Sequence, residues 1–135
     1  MGIKTIGRFV YDSQTLAAVS ANGNIPIPSS TVSNKCITCD GTNITINKSG
    51  VYEIVANFTF SAAAAAPIET QMYRNGNALP GAHAVDTATT INNLTSQAIA
   101  AIVTVPCAAP LTTINFKALY ETNVRIANVI ITKVA

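Results

Sequence analysis

Three cysteines and the single histidine are the residues best suited to chemistry. Cys36 and Cys39 have the spacing of a zinc-binding pair, and Cys107 with His83 would complete a Cys3His ligand set. In a regular strand, however, residues three apart point to opposite faces, so this pair would need a sharp bend at residues 37–38. A disulfide between Cys107 and one member of the pair is an alternative that intracellular assembly disfavours. The favoured interpretation is that the thiols are buried and pack as small apolar side chains, so we expect no metal and no cofactor.

The sequence gives no support for catalysis. His83 has neither a Gly-x-Ser-x-Gly nucleophile motif nor a neighbouring carboxylate in the sequence with which to form a triad. The acidic residues stand singly and far apart, which is not the spacing of a paired-carboxylate site or a calcium-binding loop. They are Asp12, Asp40, Glu53, Glu69, Asp86 and Glu121. We therefore expect a protein that is not an enzyme.

The composition favours an oligomer. The chain has 135 residues, enough for one domain, and 49% of them are apolar while only 10% are charged. An ordinary soluble domain has about 25% charged residues. A monomer with so few charges would expose much neutral surface, which a subunit interface would cover. The alternative is a monomer coated with Thr, Asn and Ala.

Charge and hydropathy exclude two classes of partner. The net charge is +2, and the eight basic residues are scattered through the sequence. A surface that follows a phosphate backbone needs clustered Lys and Arg, so we expect no nucleic-acid binding. No apolar run approaches the roughly 18 residues needed to cross a bilayer. The sequence also starts without the apolar segment of a signal peptide, so we expect synthesis and assembly in a cytoplasm.

The chain is organised around the segment from Ser49 to Leu79. Its first half alternates with a period of two, which is typical of a strand with one buried face. The apolar face comprises Tyr52, Ile54, Ala56, Phe58 and Phe60. Later in the segment, Asn75-Gly76 predicts a tight hairpin, because both central residues of that turn require a positive φ. Residues 62–66, between these two features, are expected to form a loop.

The rest of the sequence predicts more short strands. Turn signals recur every 8–12 residues and no helical periodicity is present, so the fold class is all-β, an antiparallel sandwich of eight to ten strands. Residues 29–35 are expected to form a polar connection. The other predicted strands cover 3–11, 36–39, 42–47, 68–74, 83–92, 96–105, 113–120 and 124–134.

The last predicted strand is apolar on both faces. Strict alternation would place Val124, Ile126 and Ile130 on one face, and Ala127, Val129 and Ile131 on the other. A strand of this kind is buried on both sides, in the sandwich core and against something else. A second copy of the chain is the partner that we expect.

These segments together resemble a known family. Gly50-Val-Tyr52-Glu-Ile-Val-Ala-Asn-Phe58, then Tyr73-Arg-Asn75-Gly76, an apolar strand at 98–105 and a closing Val-Arg-Ile-Ala-Asn-Val-Ile-Ile resemble the jelly roll of the complement first-component globular head and tumour necrosis factor family. The sequence is most similar to the bacterial and phage branch, which includes the C-terminal domains of spore-surface collagen-like proteins and phage structural proteins. The resemblance covers roughly residues 30–135, so residues 1–135 are interpreted as a single jelly-roll domain whose first 30 residues are either first strands or an anchor.

The resemblance implies a compact homotrimer in which one sheet of each subunit faces the threefold axis. Two features depart from the family pattern. No Gly-X-Y stalk precedes the domain, and the sequence has only four Tyr, four Phe and no Trp, so the aromatic belt of the animal proteins is not matched. Their ligand-binding loops are therefore not carried over to this chain.

The functional hypothesis is a trimeric decoration or head-fibre protein on the surface of a phage virion, attached to a capsid or another particle-surface protein. The candidate trimer-interface residues are Tyr52, Val124, Ile126, Val129 and Ile131, and the candidate particle-anchor residues are Lys4, Ile6 and Arg8. The alternative is a receptor- or glycan-binding tip on a phage or spore surface. Sugars stack on exposed aromatic rings, for which Tyr11, Tyr73 and Tyr120 are the plausible suppliers.

Overall fold

The computed structural model describes residues 5–32, 35–107 and 111–135. These residues form eleven β-strands and contain no helix long and apolar enough to cross a membrane. The strands are β1 (Ile6–Val19), β2 (Gly23–Asn24), β3 (Ser29–Val32), β4 (Ile37–Cys39), β5 (Ile44–Asn47), β6 (Gly50–Ser61), β7 (Pro67–Arg74), β8 (Asn77–Thr87), β9 (Leu94–Val105), β10 (Leu111–Ala118) and β11 (Thr122–Lys133).

Two antiparallel sheets form a sandwich. Sheet A has the strand order β3-β1-β11-β6-β9, and sheet B has the order β4-β5-β10-β7-β8, with the short β2 paired to β10. Strands far apart in the sequence are therefore neighbours, as with β1 and β11, which is the connectivity of a jelly roll rather than of simple consecutive hairpins. The predicted fold class is confirmed, with slightly more strands than expected.

The core lies between the two sheets and follows the predicted alternation in β6. Tyr52, Ile54, Ala56, Phe58 and Phe60 are all at most 1% exposed. The rings of Phe58, in sheet A, and Phe116, in sheet B, meet edge to face with their centroids 5.3 Å apart. Burying each such side chain contributes about 1.5–3 kcal/mol to folding, so this strand fixes which face of sheet A points inward.

The alternation in β11 is interrupted by a bulge. The pairing of β11 with β6 shifts register between Val124 and Ile126. As a result Val124 and Ala127, three positions apart, both face the core, and Val129 and Ile131 follow them. The prediction that Val124 shares a face with Ile126 and Ile130 is therefore wrong, because one extra residue in a strand reverses the side-chain direction on one side of the bulge.

The predicted hairpin turn is confirmed. Asn75 and Gly76 both have positive φ, 49° and 83°, and join the paired strands β7 and β8. The side chain of Asn75 also accepts a hydrogen bond of 2.8 Å from the backbone N–H of Thr113. The turn is thereby tied to β10, the next strand of sheet B.

Three other regions differ in detail from the predictions. β1 extends to Val19, with an irregularity between Asp12 and Ala17. The predicted polar connection contains an edge strand, β3, whose four residues are all exposed. β8 continues past Pro80, and the Gln71 side chain donates hydrogen bonds to two carbonyls of this irregular stretch, at Leu79 and Ala82. Local pattern did not reveal these strands because neighbouring strands, rather than their own alternation, hold them in place.

Candidate assembly interface

The outward-facing side of sheet A is the surface whose residues best suggest a function. Side chains that alternate with the core residues point away from the sandwich, and the strand registers align them in rows across β1, β11, β6 and β9. We call this surface the outer face of sheet A. Its central members are Val10, Val55, Asn57, Ala98, Ala100, Ile126, Asn128 and Ile130.

This outer face is largely uncharged at its centre. Val55, Ile126 and Ile130 are only partly buried by their own protomer, while Ala98 and Ala100 are exposed. The amides of Asn57 and Asn128 stand opposite one another in the β6–β11 pairing. Apolar and amide side chains without charge are what a subunit interface can cover without desolvating ions.

Its charged side chains are mostly bound within the sheet. Arg8 donates a 2.8 Å hydrogen bond from Nε to the Oδ1 of Asn128. Arg125, at the β11 bulge, lies 3.2 Å from the Asp12 carboxylate and donates a 2.6 Å hydrogen bond to the Ser13 carbonyl. These contacts hold β1 against β11. Glu53, near the opposite end of the face, is exposed.

The strand β9 forms the free edge of this face. Its twelve residues, Leu94 to Val105, include no charged residue and no proline. The outward side chains of Leu94 and Ile102 are 68% and 70% exposed. Edge strands usually carry charges, prolines or bulges that discourage pairing with another chain. β9 has none of these in its own sequence, and the Arg74 guanidinium from sheet B covers it only near its end, where it donates to the Thr104 carbonyl.

Four of the five candidate trimer-interface residues lie elsewhere. Tyr52, Val124, Val129 and Ile131 are 0% exposed within the single chain, so they form the protomer's own core and offer no surface to a second copy. Only Ile126 lies on the outer face. These four residues face the core because of the bulge in β11 and because the apolar face of β6 points inward.

Two of the three candidate anchor residues, Ile6 and Arg8, lie at the start of β1. Ile6 is partly buried and Arg8 is exposed, whereas Lys4 lies outside the described residues. Beyond its bond to Asn128, the Arg8 guanidinium is 3.4 Å from the Thr31 hydroxyl in β3. Arg8 thus has a structural role in joining three strands of sheet A.

The structure does not assemble the proposed zinc ligands. Cys39 is in β4, at one edge of sheet B, and His83 is in β8, at the opposite edge. Within residues 5–32, 35–107 and 111–135, no three His, Cys, Asp or Glu side chains are grouped so that they could hold a metal ion. The expectation of three buried thiols is wrong as well, because Cys36 and Cys39 are only partly buried and Cys107 is exposed.

His83 has a carboxylate partner, which its neighbours in the sequence did not indicate. Its Nε2 lies 3.0 Å from Oε1 of Glu69, across the pairing of β7 with β8. The two residues are separated by 14 positions in the sequence, so only the hairpin register brings them together. The pair links two adjacent strands on the outside of sheet B.

Three groups have clearly shifted pKa values. Burial raises the pKa of the Tyr52 hydroxyl, with a further contribution from the Cys36 thiol, and this hydroxyl donates a 2.7 Å hydrogen bond to the Lys48 carbonyl. Burial likewise raises the pKa of the Cys39 thiol. The pKa of Asp40 is lowered by hydrogen bonds, first from the Asn43 backbone N–H and then from that of Thr42. None of these groups faces the outer side of sheet A.

The three tyrosines proposed for sugar stacking differ in their availability. Tyr120 is 42% exposed. The Lys117 ammonium lies 5.1 Å from the centroid of the Tyr73 ring and covers its face. Tyr11 is packed against the core, and its hydroxyl donates to the Thr15 carbonyl. Only Tyr120 therefore presents a ring with a large exposed fraction.

The sandwich, its connectivity and the outer face of sheet A define the chain as a jelly-roll protein with the tumour necrosis factor-like fold. Solved structures with this fold are similar to it over nearly their whole length. The structure of Eiger TNF from S. frugiperda superposes with a TM-score of 0.79 at 12% identity, covering 98% of this chain and 93% of that one. Murine APRIL at pH 5.0 gives a TM-score of 0.72 at 10% identity, covering 98% and 100%.

A vertex protein has the same architecture. The PRD1 vertex protein P5 superposes with a TM-score of 0.59 at 11% identity, and the match covers 100% of both chains. No protein-family model and no curated protein sequence matches the chain. At these identities the likeness establishes the fold, while the function has to be argued from the surfaces of this chain.

Proposed function

We propose that this chain is a non-enzymatic structural protein that forms homotrimers and is displayed on the surface of a phage virion, as a decoration or head-fibre component. The observation that carries the proposal is the outer face of sheet A, whose centre carries apolar and amide side chains without charge and is only partly buried by its own protomer. Contiguous surfaces of this kind on a soluble protein are characteristic of subunit contacts.

The geometry of the protomer favours a closed ring. The centre of the outer face of sheet A and the free main-chain edge of β9 are different parts of one protomer, and neither includes a charged residue of its own. If the edge of one copy packs on the face of the next, the contact is heterologous, and such contacts close into rings when the rotation permits. A threefold ring is the arrangement that the resemblance to the complement and tumour necrosis factor family implies.

Attachment to a particle is supported by the fold shared with the PRD1 vertex protein P5. The start of β1, with Ile6 and Arg8, remains our proposed anchor, and Lys4 belongs to the same segment. In this proposal the trimer assembles in the bacterial cytoplasm and joins a capsid or other particle-surface protein. It acts by assembly and display, without turnover of a substrate.

The oligomeric state is tested by light scattering on the purified chain. We expect a molar mass of three chains, unchanged by reducing agent. Ile130→Arg places a charge in the centre of the outer face of sheet A and should yield monomers. Thr45→Arg, on the outer side of sheet B, is the matched control and should remain trimeric. A monomeric wild-type protein, or an Ile130→Arg trimer, would contradict the proposed interface.

Attachment is tested separately, by sedimenting the trimer with phage capsids stripped of their surface proteins. We expect saturable, stoichiometric binding that Arg8→Glu weakens while this variant keeps the molar mass of three chains, since Arg8 also joins strands of sheet A. A trimer that binds no capsid would leave the oligomer standing and refute the display role.

The second candidate is a receptor- or glycan-binding tip of a phage or spore surface. The exposed ring of Tyr120 is the observation that favours it, because a flat aromatic face is where a sugar would stack. Glycan-array binding by the wild-type protein that Tyr120→Ala abolishes would support this function.

A further inference from the structure

Charged side chains that are scattered along the sequence collect at opposite ends of the sandwich. We call the end at which β6 and β10 begin the basic end. The strand registers place four cations and one acid there: Lys35, Lys48, Arg74, Lys133 and Glu53. Four positive charges and one negative charge give the basic end a net charge of +3.

The opposite end, at which β7 and β11 begin, is acidic, and we call it the acidic end. It carries four acids and one cation: Asp12, Glu69, Asp86, Glu121 and Arg125. Its net charge is therefore −3, while Arg8, Asp40 and Lys117 lie near the middle of the strands. The residues outside the described parts, 1–4, 33–34 and 108–110, include no acid. The protomer is thus an electric dipole along the direction of its strands.

Two cations of the basic end converge on the residue that precedes β1. The Lys48 ammonium lies 3.5 Å from the Thr5 hydroxyl. The backbone N–H of Lys133 donates a 2.9 Å hydrogen bond to the Thr5 carbonyl. Lys48 is exposed and Lys133 is partly exposed, so both ammonium groups are accessible to a partner. The positive charge is therefore concentrated beside the segment that we propose as the anchor.

Apolar side chains are exposed among these cations. Leu111, the first residue of β10, is 64% exposed and pairs with Asn47, which directly precedes Lys48. Val134, which directly follows Lys133, is 54% exposed. The basic end thus offers aliphatic side chains and ammonium groups together, which is the mixture found where protein surfaces meet.

This mixture fits a protein better than a nucleic acid or a membrane. A phosphate backbone is bound through clustered cations and makes no use of exposed aliphatic side chains. Membrane interfaces are rich in Tyr and Trp. The most exposed tyrosine, Tyr120, lies in the turn before β11, at the acidic end, and the chain has no Trp.

We infer that the basic end docks onto an acidic protein surface, with Leu111 and Val134 in the contact and Lys48 and Lys133 beside carboxylates of the partner. The inference rests on the proposed display role, to which it adds the docking surface and the chemistry of the particle protein. Opposite charges steer and orient two proteins before they touch. The acidic end would be repelled by the same partner, so the protomer attaches in one orientation and turns its acidic end outward.

The test is a titration of the isotope-labelled full chain with a soluble peptide in which leucines are interspersed among glutamates, followed by amide chemical shifts. The same peptide with lysine in place of glutamate is the matched ligand control. We expect saturable shifts at Thr5, Lys48 and Lys133 with the acidic peptide alone. They should largely disappear at about 1 M salt, where the Debye length falls to about 3 Å.

Variants locate the contact. Lys48→Glu and Lys117→Glu change the net charge equally, but only the first lies at the basic end. We expect Lys48→Glu to weaken binding of the acidic peptide about threefold or more, and Lys117→Glu to bind like the wild type. Leu111→Ser should weaken binding of this peptide but not of one made of glutamate alone. Unaltered spectra of the free variants establish that they fold.

Equal weakening by Lys48→Glu and Lys117→Glu would overturn the inference, as would the absence of shifts at the basic end. Tighter binding there of a DNA duplex, or of phosphatidylglycerol vesicles, than of the acidic peptide would overturn it too. Sedimentation with capsids separates this failure from that of the display role. Capsid binding that Lys48→Glu leaves intact refutes the basic end as the docking surface. A wild-type protein that binds no capsid refutes the display role, and the peptide titration then decides on the basic end alone.

Discussion

The Thr70 hydroxyl donates a 2.6 Å hydrogen bond to Oε1 of Gln97, and this bond joins the two sheets through the interior of the sandwich. Thr70 belongs to β7 in sheet B and Gln97 to β9 in sheet A. Gln97 also donates from Nε2 to the Ile68 carbonyl at 2.8 Å. Both side chains are buried, yet the polar groups satisfy each other, which removes the usual penalty for burying them. The contact anchors the edge strand β9 to the opposite sheet.

Removing one partner of this bond should be costly. Thr70→Val keeps the shape but leaves the Gln97 carbonyl oxygen without its donor, and we expect a loss of about 1–3 kcal/mol in the free energy of unfolding. Chemical denaturation of the purified variants measures it. In the double variant with Gln97→Met, the second change should cost less than Gln97→Met alone, because the two groups interact. Strictly additive losses would show that the two side chains are energetically independent.

Adjacent residues in β11 should respond in opposite ways. Ile131→Ala empties a site in the core and should lower the free energy of unfolding by about 2–5 kcal/mol. Ile130→Ala removes atoms from the outer face of sheet A and should have a much smaller effect on the unfolding of a protomer. If the trimer forms as proposed, Ile130→Ala weakens the association of subunits. Denaturation curves recorded at several protein concentrations separate the two effects, and equal concentration dependence for both variants would contradict the assignment of faces.

Gly50 is the glycine whose replacement should disturb most. Its φ is 146°, and a Cβ built there would lie 2.7 Å from the carbonyl oxygen of Ala135. Gly41 also has a positive φ, of 116°, but its Cβ would meet no atom within 4 Å. Gly41→Ala therefore carries only the backbone strain, of about 1–3 kcal/mol. We expect Gly50→Ala to be clearly more destabilising in thermal melts, because the backbone near Ala135 must also move. Equal losses of thermal stability in the two variants would mean that the backbone near Ala135 moves without a cost in stability.

Asp40 should make the β4–β5 turn sensitive to acid. Hydrogen bonds from the Asn43 and Thr42 N–H groups lower its pKa from the ordinary value of 3.8. The stabilisation from the charged carboxylate is thus fully present above pH 3.8 and is lost as the pH falls through the lower value of the folded state. Asp40→Asn keeps an acceptor oxygen but removes the titration. The difference in the free energy of unfolding between the wild type and this variant should shrink as the pH falls below 3.8. A difference that does not depend on pH would contradict the stabilisation by the charged carboxylate.

The sequence predicts the strands of this protein better than it predicts its surfaces. Alternation located β6 and its five core residues because one face is apolar and the other is not, and Asn75-Gly76 located a turn because few other pairs tolerate two positive φ angles. The β11 bulge was invisible, since both faces of that strand are apolar and either register satisfies the pattern. Four candidate interface residues therefore proved to be core residues. Three of them lie in β11, and the fourth, Tyr52, lies on the face of β6 that points inward.

Contacts between distant segments were also beyond the reach of the sequence. The Glu69–His83 pair depends on the register of a hairpin, and the buried link of Thr70 to Gln97 depends on two sheets meeting. Spacing along the chain carries no information on either of these two arrangements. The pairing Cys36-x-x-Cys39, in contrast, had a suggestive spacing and no matching geometry.

The uncharged β9 edge has a consequence for how the protein must be handled by the cell that makes it. A long edge strand without charge or proline can pair with the same strand of another partly folded molecule, which is a route to amyloid-like aggregates. Such pairing involves at least two molecules, so it accelerates with protein concentration, as subunit association does. A high rate of synthesis therefore gives no protection by itself, and the safeguard is prompt covering of the edge by its proper partner.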